Sequence, residues 1–170
     1  MTIFIDNGTT GTIGAVSENG NAVLFVETPN IKQQDYTKAK KNVSRINVAE
    51  LAKILRVFHE QAQSLGESLS VYLERPMINP TRFTATITAV RALESTMTVL
   101  EALEIGYQFV DSKEWQRGLL PSAGKKGTDS ATLKQESHDI GIRMFPQYKT
   151  LIEHHKDADG ILGAYALNRR

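Results

Sequence analysis

The spacing of apolar and polar positions over the first 28 residues is typical of short strands joined by tight turns. Segments 2–6, 12–17 and 22–28 are rich in β-branched and aromatic residues. Asn7-Gly8 follows the first segment and Asn19-Gly20 separates the other two, and an Asn-Gly pair favours a tight turn. The pattern predicts three consecutive antiparallel strands.

Beyond residue 47 the apolar spacing changes to that of amphipathic helices separated by short apolar runs. Gly66 and Gly106 follow the two longest helical patterns, and Asp129 or Ser130 is suited to cap a later helix. The pattern predicts a mixed α/β sheet covered by helices, in one domain over 1–170. The predicted elements are a helix over 48–65, a strand over 69–74, a helix over 81–104, a strand over 107–110, and helices over 130–145 and 157–167.

Acidic residues stand where three of these elements begin or end. Asp6 and Glu74 each close an apolar strand, and Asp157 and Asp159 open the last helix, which is rich in glycine and alanine. Hydrolysis of a phosphodiester by two divalent cations needs carboxylates that hold the ions about 3.5 to 4 Å apart. Each acid alone is also explained by a solvated strand end or by the helix dipole. Together they suggest a metal site.

Basic residues are concentrated in two segments, although the net charge of the chain is only +1. Either segment alone is as typical of a solvated loop as of a binding surface. Both together, beside candidate metal ligands, favour contacts with phosphates. The candidate nucleic-acid contacts are Lys38, Lys40, Lys41 and Arg45 in a basic loop over 30–47, and Lys113, Arg117, Lys125 and Lys126 in a second segment that runs on to Lys134.

Composition excludes several other kinds of site. The chain has no cysteine, so disulfides, thiolate zinc sites and thiol nucleophiles are absent. No apolar run approaches the length of a membrane helix and the N-terminus has no signal-peptide pattern. We therefore expect a cytoplasmic protein.

The ordered motifs around these acids resemble those of phage-type RuvC-like Holliday junction resolvases. The resemblance rests on Phe4-Ile5-Asp6-Asn7-Gly8, Val71-Tyr72-Leu73-Glu74-Arg75-Pro76-Met77, Val110-Asp111-Ser112-Lys113-Glu114-Trp115, Lys134-Gln135-Glu136-Ser137 and Asp157-Ala158-Asp159, which together extend over most of the chain. It implies a ribonuclease H-like fold whose five-stranded sheet has three antiparallel strands followed by parallel ones. It also implies a homodimer that cuts four-way DNA junctions in recombination and repair, as a crossover junction endodeoxyribonuclease.

The same resemblance assigns roles to individual residues. Asp6, Glu74 and Asp159 would hold Mg²⁺, for which Mn²⁺ would substitute, and Lys134 would approach the scissile phosphate or order the acids. Met77 falls where relatives place a side chain that contacts unpaired bases, although a core methionine is the more common explanation. The long helix over 81–104, with its wide apolar stripe, is the expected dimer surface.

One position departs from the family pattern. Relatives usually carry an acid or a histidine three residues before the final aspartate, and here that residue is Lys156. Asp157, from an extended position before the helix, or His155 could supply the fourth metal ligand. Otherwise we expect His154 and His155 to be solvent-exposed loop residues.

Three alternatives remain at this point. A nuclease of the same fold could act on RNA, as the YqgF-type enzymes do, and a non-cleaving protein could bind branched nucleic acid, an alternative that Lys156 supports. The stretch from Asp6 to Gly11 also resembles the first phosphate loop of sugar kinases and actin-like ATPases. Those enzymes need about twice this length and a second phosphate loop that the chain does not display.

Overall fold

The computed structural model describes residues 1–34, 38 and 40–169, which form two sheets and a set of helices. A short 3₁₀ turn is formed by Pro146–Tyr148. The elements in chain order are β1 (Thr2–Ile5), β2 (Thr12–Val16), β3 (Ala22–Glu27), β4 (Asn30–Gln34), β5 (Asn42–Ile46), α1 (Val48–Leu65), β6 (Ser70–Glu74), α2 (Phe83–Ala102), β7 (Tyr107–Val110), α3 (Ser112–Gln116), α4 (Ser130–Met144), α5 (Lys149–His155) and α6 (Asp159–Asn168).

The main sheet has five strands in the order β3-β2-β1-β6-β7. β1, β2 and β3 pair antiparallel, whereas β6 pairs parallel with both β1 and β7. The predicted α/β fold, with a mixed five-stranded sheet of three antiparallel strands followed by parallel ones and flanked by helices, is therefore confirmed. In the register between β1 and β6, Ile5 lies opposite Leu73, so Asp6 and Glu74 follow at the same edge of the sheet.

The central strands of the sheet contribute to two cores, one on each face, because alternate residues of a strand point to opposite sides. Ile3 and Ile5 of β1 belong to one core cluster, which includes Leu55 and Phe58 of α1 and Leu100 of α2. Phe4 belongs to the other cluster, where its ring packs edge-on against Trp115. The second core also holds α6 and therefore supports the helix on which Asp159 lies.

Close packing of α6 on the sheet depends on glycine. A Cβ atom built on Gly14 of β2 would lie 2.4 Å from the carbonyl oxygen of Gly160, and one built on Gly163 would lie 2.5 Å from the ring of Phe4. These separations are too short for any side chain. The prediction that small residues let the last helix approach the sheet is confirmed at Gly160 and Gly163.

The predicted basic loop over 30–47 is wrong, because much of it forms a hairpin. β4 and β5 pair antiparallel and form a separate two-stranded sheet. β4 is exposed along its whole length, whereas Ile46 at the end of β5 is buried. Lys38 and Lys40 lie in the connection between the strands, and residues 35–37 and 39 of that connection are outside the described part of the chain.

Other boundaries differ from the sequence expectation by a few residues. α2 ends at Ala102 rather than at residue 104, and Glu104 adopts the left-handed conformation with φ of 55°. α6 begins at Asp159 rather than at residue 157. α3 and α5 were not predicted. Within the described residues, no helix has the length and apolarity required to cross a membrane.

Candidate active site

Four carboxyl side chains meet where β1, β6 and the start of α6 converge. Oxygen atoms of Asp6, Asp157 and Asp159 lie within 4.8 Å of one another. Glu74, at the end of β6, shares a side-chain hydrogen bond with Asp6. The structure thus brings together all four acids that the sequence singled out.

The crowding of these acids alters their affinity for protons. Burial, followed by the charges of Asp6 and Asp159, raises the pKa of Glu74 to about 10. Burial, followed by the charges of Asp6 and Asp157, raises the pKa of Asp159 to about 7. Burial and then Asp157 also raise the pKa of Asp6. The site therefore holds more negative charge than its surroundings neutralise.

A divalent cation fits this arrangement. Carboxylate oxygens are the hard ligands that Mg²⁺ and Mn²⁺ prefer, and an ion would offset both the burial and the mutual repulsion that raise the pKa values. Lys134 of α4 partly neutralises the cluster: its Nζ lies 3.4 Å from Oδ2 of Asp157. The side chain of Lys134 is 63% exposed and that of Asp157 only 4%. Lys134 therefore contacts the acids from the solvent side.

The backbone at Lys156 explains how Asp157 reaches the cluster. α5 ends at His155, and Lys156 adopts the left-handed conformation with φ of 68°. Asp157 and Ala158 then lie outside any helix before α6 begins. Because Asp157 is not helical, its side chain and that of Asp159 can point to the same place although they are two residues apart.

The two histidines at the end of α5 lie beside the site rather than in a loop. Nδ1 of His154 is 2.9 Å from Oε1 of Glu27, and Nε2 of His155 is 3.8 Å from the same oxygen. The side chain of His155 is only 11% exposed, whereas that of His154 is 77% exposed. The expectation of exposed loop histidines is therefore wrong for His155, because α5 packs it against the end of β3.

The acids lie in an open cleft of about 610 Å³ with several cationic side chains on its walls. Met77 also lines the cleft and is 85% exposed, so the expectation of a core methionine is wrong. It follows Pro76 in the connection to α2, where no element covers it. Sequence-predicted residues that line the cleft are Asp6, Glu74, Met77, Lys113, Arg117, Lys125, Lys134, Asp157 and Asp159.

The remaining predicted contacts lie elsewhere. Arg45 donates to Gln33 across the β4–β5 hairpin and lines a separate groove of about 220 Å³ between the hairpin and α2. Lys38, Lys40 and Lys41 are exposed near the tip of that hairpin, and Lys126 is exposed close to the cleft. The hairpin residues therefore form a surface distinct from the cleft.

Sequence reasoning assigned no role to Ser137, although it contacts the cluster. Its hydroxyl donates to Oδ1 of Asp159 at 2.5 Å. The available signal was spacing, since Ser137 follows Lys134 by three residues and lies on the same face of α4. Arg75 was also missed. It lines the cleft, its Nη1 lies 3.6 Å from Oδ2 of Asp111, and its guanidinium carbon lies 5.8 Å from the centre of the Phe109 ring.

Comparison with known proteins found similar chains among the solved structures. No protein-family model matches the chain, and no curated protein matches it. RuvC from Thermus thermophilus is similar in structure, with 12% sequence identity and a TM-score of 0.43 over 97% of this chain and 91% of that one.

Proposed function

We propose that this protein is a divalent-metal-dependent endonuclease that cuts branched DNA, four-way junctions above all. The carboxylate cluster carries the proposal: Asp6, Asp157 and Asp159 have oxygens within 4.8 Å of one another, and Glu74 adjoins them. A buried cluster of this kind is costly for a protein to maintain without a cation. Its position in an open, cationic cleft supports a polyanionic substrate.

The four acids would hold two Mg²⁺ ions, and Mn²⁺ would substitute. Bound divalent ions activate water as the nucleophile and stabilise the leaving oxygen of a phosphodiester. Asp6 and Glu74 would be held rigidly, because each stands at the end of a strand of the central sheet. Asp157 fills the place of the fourth ligand better than His155, whose ring is oriented towards Glu27. Lys134 would approach the scissile phosphate from the solvent side.

The cleft walls support a nucleic-acid backbone as the ligand. Lys113, Arg117 and Lys125 line the same cavity as the acids. Cations on the walls of such a cleft would compensate the charge of bound phosphates, so DNA binding should weaken steeply as the salt concentration rises. The exposed lysines of the hairpin, Lys40 and Lys41, would extend this contact.

The connection between β6 and α2 supports a branched substrate. Met77 and Ile78 in this connection are 85% and 56% exposed, and Phe83 at the start of α2 is 72% exposed, which is unusual for large apolar side chains. Unpaired bases at a junction offer flat apolar faces that such side chains can contact. Met77 lies in the cleft and is therefore the first candidate for that contact.

A homodimer would place two clefts on the two strands of one junction. α2 carries an exposed apolar stripe of Phe83, Ile87 and Val90, which are spaced to lie on one helix face. Two copies could bury these stripes against each other. The long helix predicted as the dimer surface is therefore retained in the proposal.

The test is cleavage of a labelled four-way DNA junction in Mg²⁺, beside a linear duplex and an RNA-containing duplex. We expect paired, symmetric cuts near the branch point of the junction, and their loss in Asp6→Asn. Cutting of the RNA-containing duplex alone would instead identify an RNA-directed nuclease. Metal-dependent binding without cutting of any substrate would identify a binding protein and refute the nuclease.

A further inference from the structure

The start of α6 is held by hydroxyl groups from other elements. Ala158 occupies the N-cap position, and among the described residues the helix has no side-chain cap of its own. Oγ of Ser137 in α4 accepts from the backbone N–H of Ala158 at 3.1 Å. Oγ1 of Thr12 in β2 accepts from the N–H of Gly160 at 2.9 Å. Both residues are completely buried, so the site's last helix is anchored by non-local hydrogen bonds.

Ser137 differs from Thr12 because it also contacts a carboxylate. Its oxygen accepts from Ala158, and its proton is donated to Oδ1 of Asp159. This hydroxyl therefore fixes both the backbone before Asp159 and the orientation of the Asp159 side chain. Lys134, one helical turn earlier, donates from Nζ to Oδ2 of Asp157 at 3.4 Å. One face of α4 thus contacts both acids contributed by the last segment.

The hydrogen bond of Ser137 to Asp159 differs from the one that a buried hydroxyl inside a helix usually makes. Serine and threonine inside helices commonly donate to the carbonyl four residues earlier. Thr96 of α2 does so, with Oγ1 2.9 Å from the oxygen of Ala92, and it is as buried as Ser137. Ser137 directs its proton out of its own helix to Asp159 instead. Thr96 is therefore a matched residue that lacks the contact with the cluster.

We propose that Ser137 is a positioning residue that sets the affinity of the carboxylate cluster for divalent cations. With Oδ1 of Asp159 held by the hydroxyl, the carboxylate cannot rotate freely, and its geometry towards Asp6 and Asp157 is kept. Groups that orient metal ligands in this way typically change metal affinity by about 10- to 100-fold when they are removed. The proposal rests on the metal site proposed above.

The experiment measures Mn²⁺ binding by calorimetry without nucleic acid, together with unfolding in EDTA. Ser137→Ala should weaken Mn²⁺ binding by about 10- to 100-fold, whereas Thr96→Val should change unfolding but not Mn²⁺ binding. Ser137→Thr keeps the hydroxyl and should restore affinity. Ser137→Cys, which is close to serine in volume but a poor donor, provides a folded variant with weakened binding if Ser137→Ala does not fold.

Combining Ser137→Ala with Asp159→Asn tests whether Ser137 affects Mn²⁺ binding through the Asp159 carboxylate. Ser137→Ala should add no further loss of Mn²⁺ affinity in that background, because the carboxylate that the hydroxyl orients is already absent. Mn²⁺ binding by Ser137→Ala or Ser137→Cys equal to that of the unmutated protein would overturn the positioning role. If Asp6→Asn also leaves Mn²⁺ binding unchanged, the proposed metal site itself is wrong.

Discussion

Asp159 should destabilise the metal-free protein at pH 8. Burial and then the charges of Asp6 and Asp157 raise its pKa from 3.8 to about 7. A carboxyl group whose folded-state pKa is raised contributes stability that is fully present below the unfolded pKa and is lost as pH rises through the folded one. Each tenfold change in proton affinity corresponds to about 1.4 kcal/mol, so the loss at pH 8 has a ceiling of roughly 4 kcal/mol.

Asp159→Asn should therefore raise the free energy of unfolding in EDTA at pH 8. Part of the repulsion is already relieved by protons on Glu74, whose pKa is raised to about 10 by burial and by Asp6 and Asp159. We expect a gain of about 1 to 4 kcal/mol, which at about 2 to 4 °C per kcal/mol is a Tm increase of several degrees. At pH 4 the folded carboxyl is protonated, and the gain should fall below about 1 kcal/mol.

Thermal unfolding at both pH values, with and without Mg²⁺, measures the effect. Mg²⁺ should stabilise the unmutated protein more than Asp159→Asn, because a ligand that binds only the folded state stabilises it by mass action. Glu60→Gln, which removes an exposed carboxylate of α1, is the control for the loss of one charge. A variant that is less stable than the unmutated protein in EDTA at pH 8, or whose gain is the same at pH 4, would refute this account.

Three further predictions test other parts of the structure. Charge reversal at Lys40 and Lys41 should weaken junction binding in a gel-shift titration but leave Mn²⁺ uptake intact, and unchanged binding would exclude the hairpin. Gly163→Ala places a Cβ 2.5 Å from the ring of Phe4 and should cost about 1 to 3 kcal/mol in urea unfolding; equal stability would contradict the close packing. Met77→Ala should leave Tm unchanged because the side chain is 85% exposed, yet slow junction cleavage; unaltered cleavage would remove its role.

The parts of the fold that sequence predicted well depend on local rules. The apolar period placed α1 at Val48–Leu65, and Gly66 ends it in the left-handed conformation with φ of 67°. Asp129 caps α4 by accepting from the backbone of Thr132, as its residue type suggested. Acids placed directly after apolar strands converged because parallel neighbours end at the same edge of a sheet.

The parts that sequence missed depend on contacts between distant segments. β4 is entirely exposed and Ile31 is its only apolar residue, so no alternation of apolar residues predicted it, and its pairing with β5 stabilises it instead. The left-handed residue after α2 is Glu104 rather than a glycine, and glycine is what local propensity indicates. Ser137 could not be assigned a role because its two partners, Ala158 and Asp159, lie more than 20 residues later.

The unusual lysine before the last acids is accounted for by the backbone. A left-handed conformation costs a non-glycine residue about 1 kcal/mol or more, so Lys156 pays a penalty that a continuous helix would avoid. A helix that continued through residues 156–159 would direct the two aspartates to different faces. With the turn at Lys156, Asp157 enters the cluster from a non-helical position, and an acid three residues before Asp159 is not required. The departure from the family pattern is therefore compatible with a four-carboxylate site.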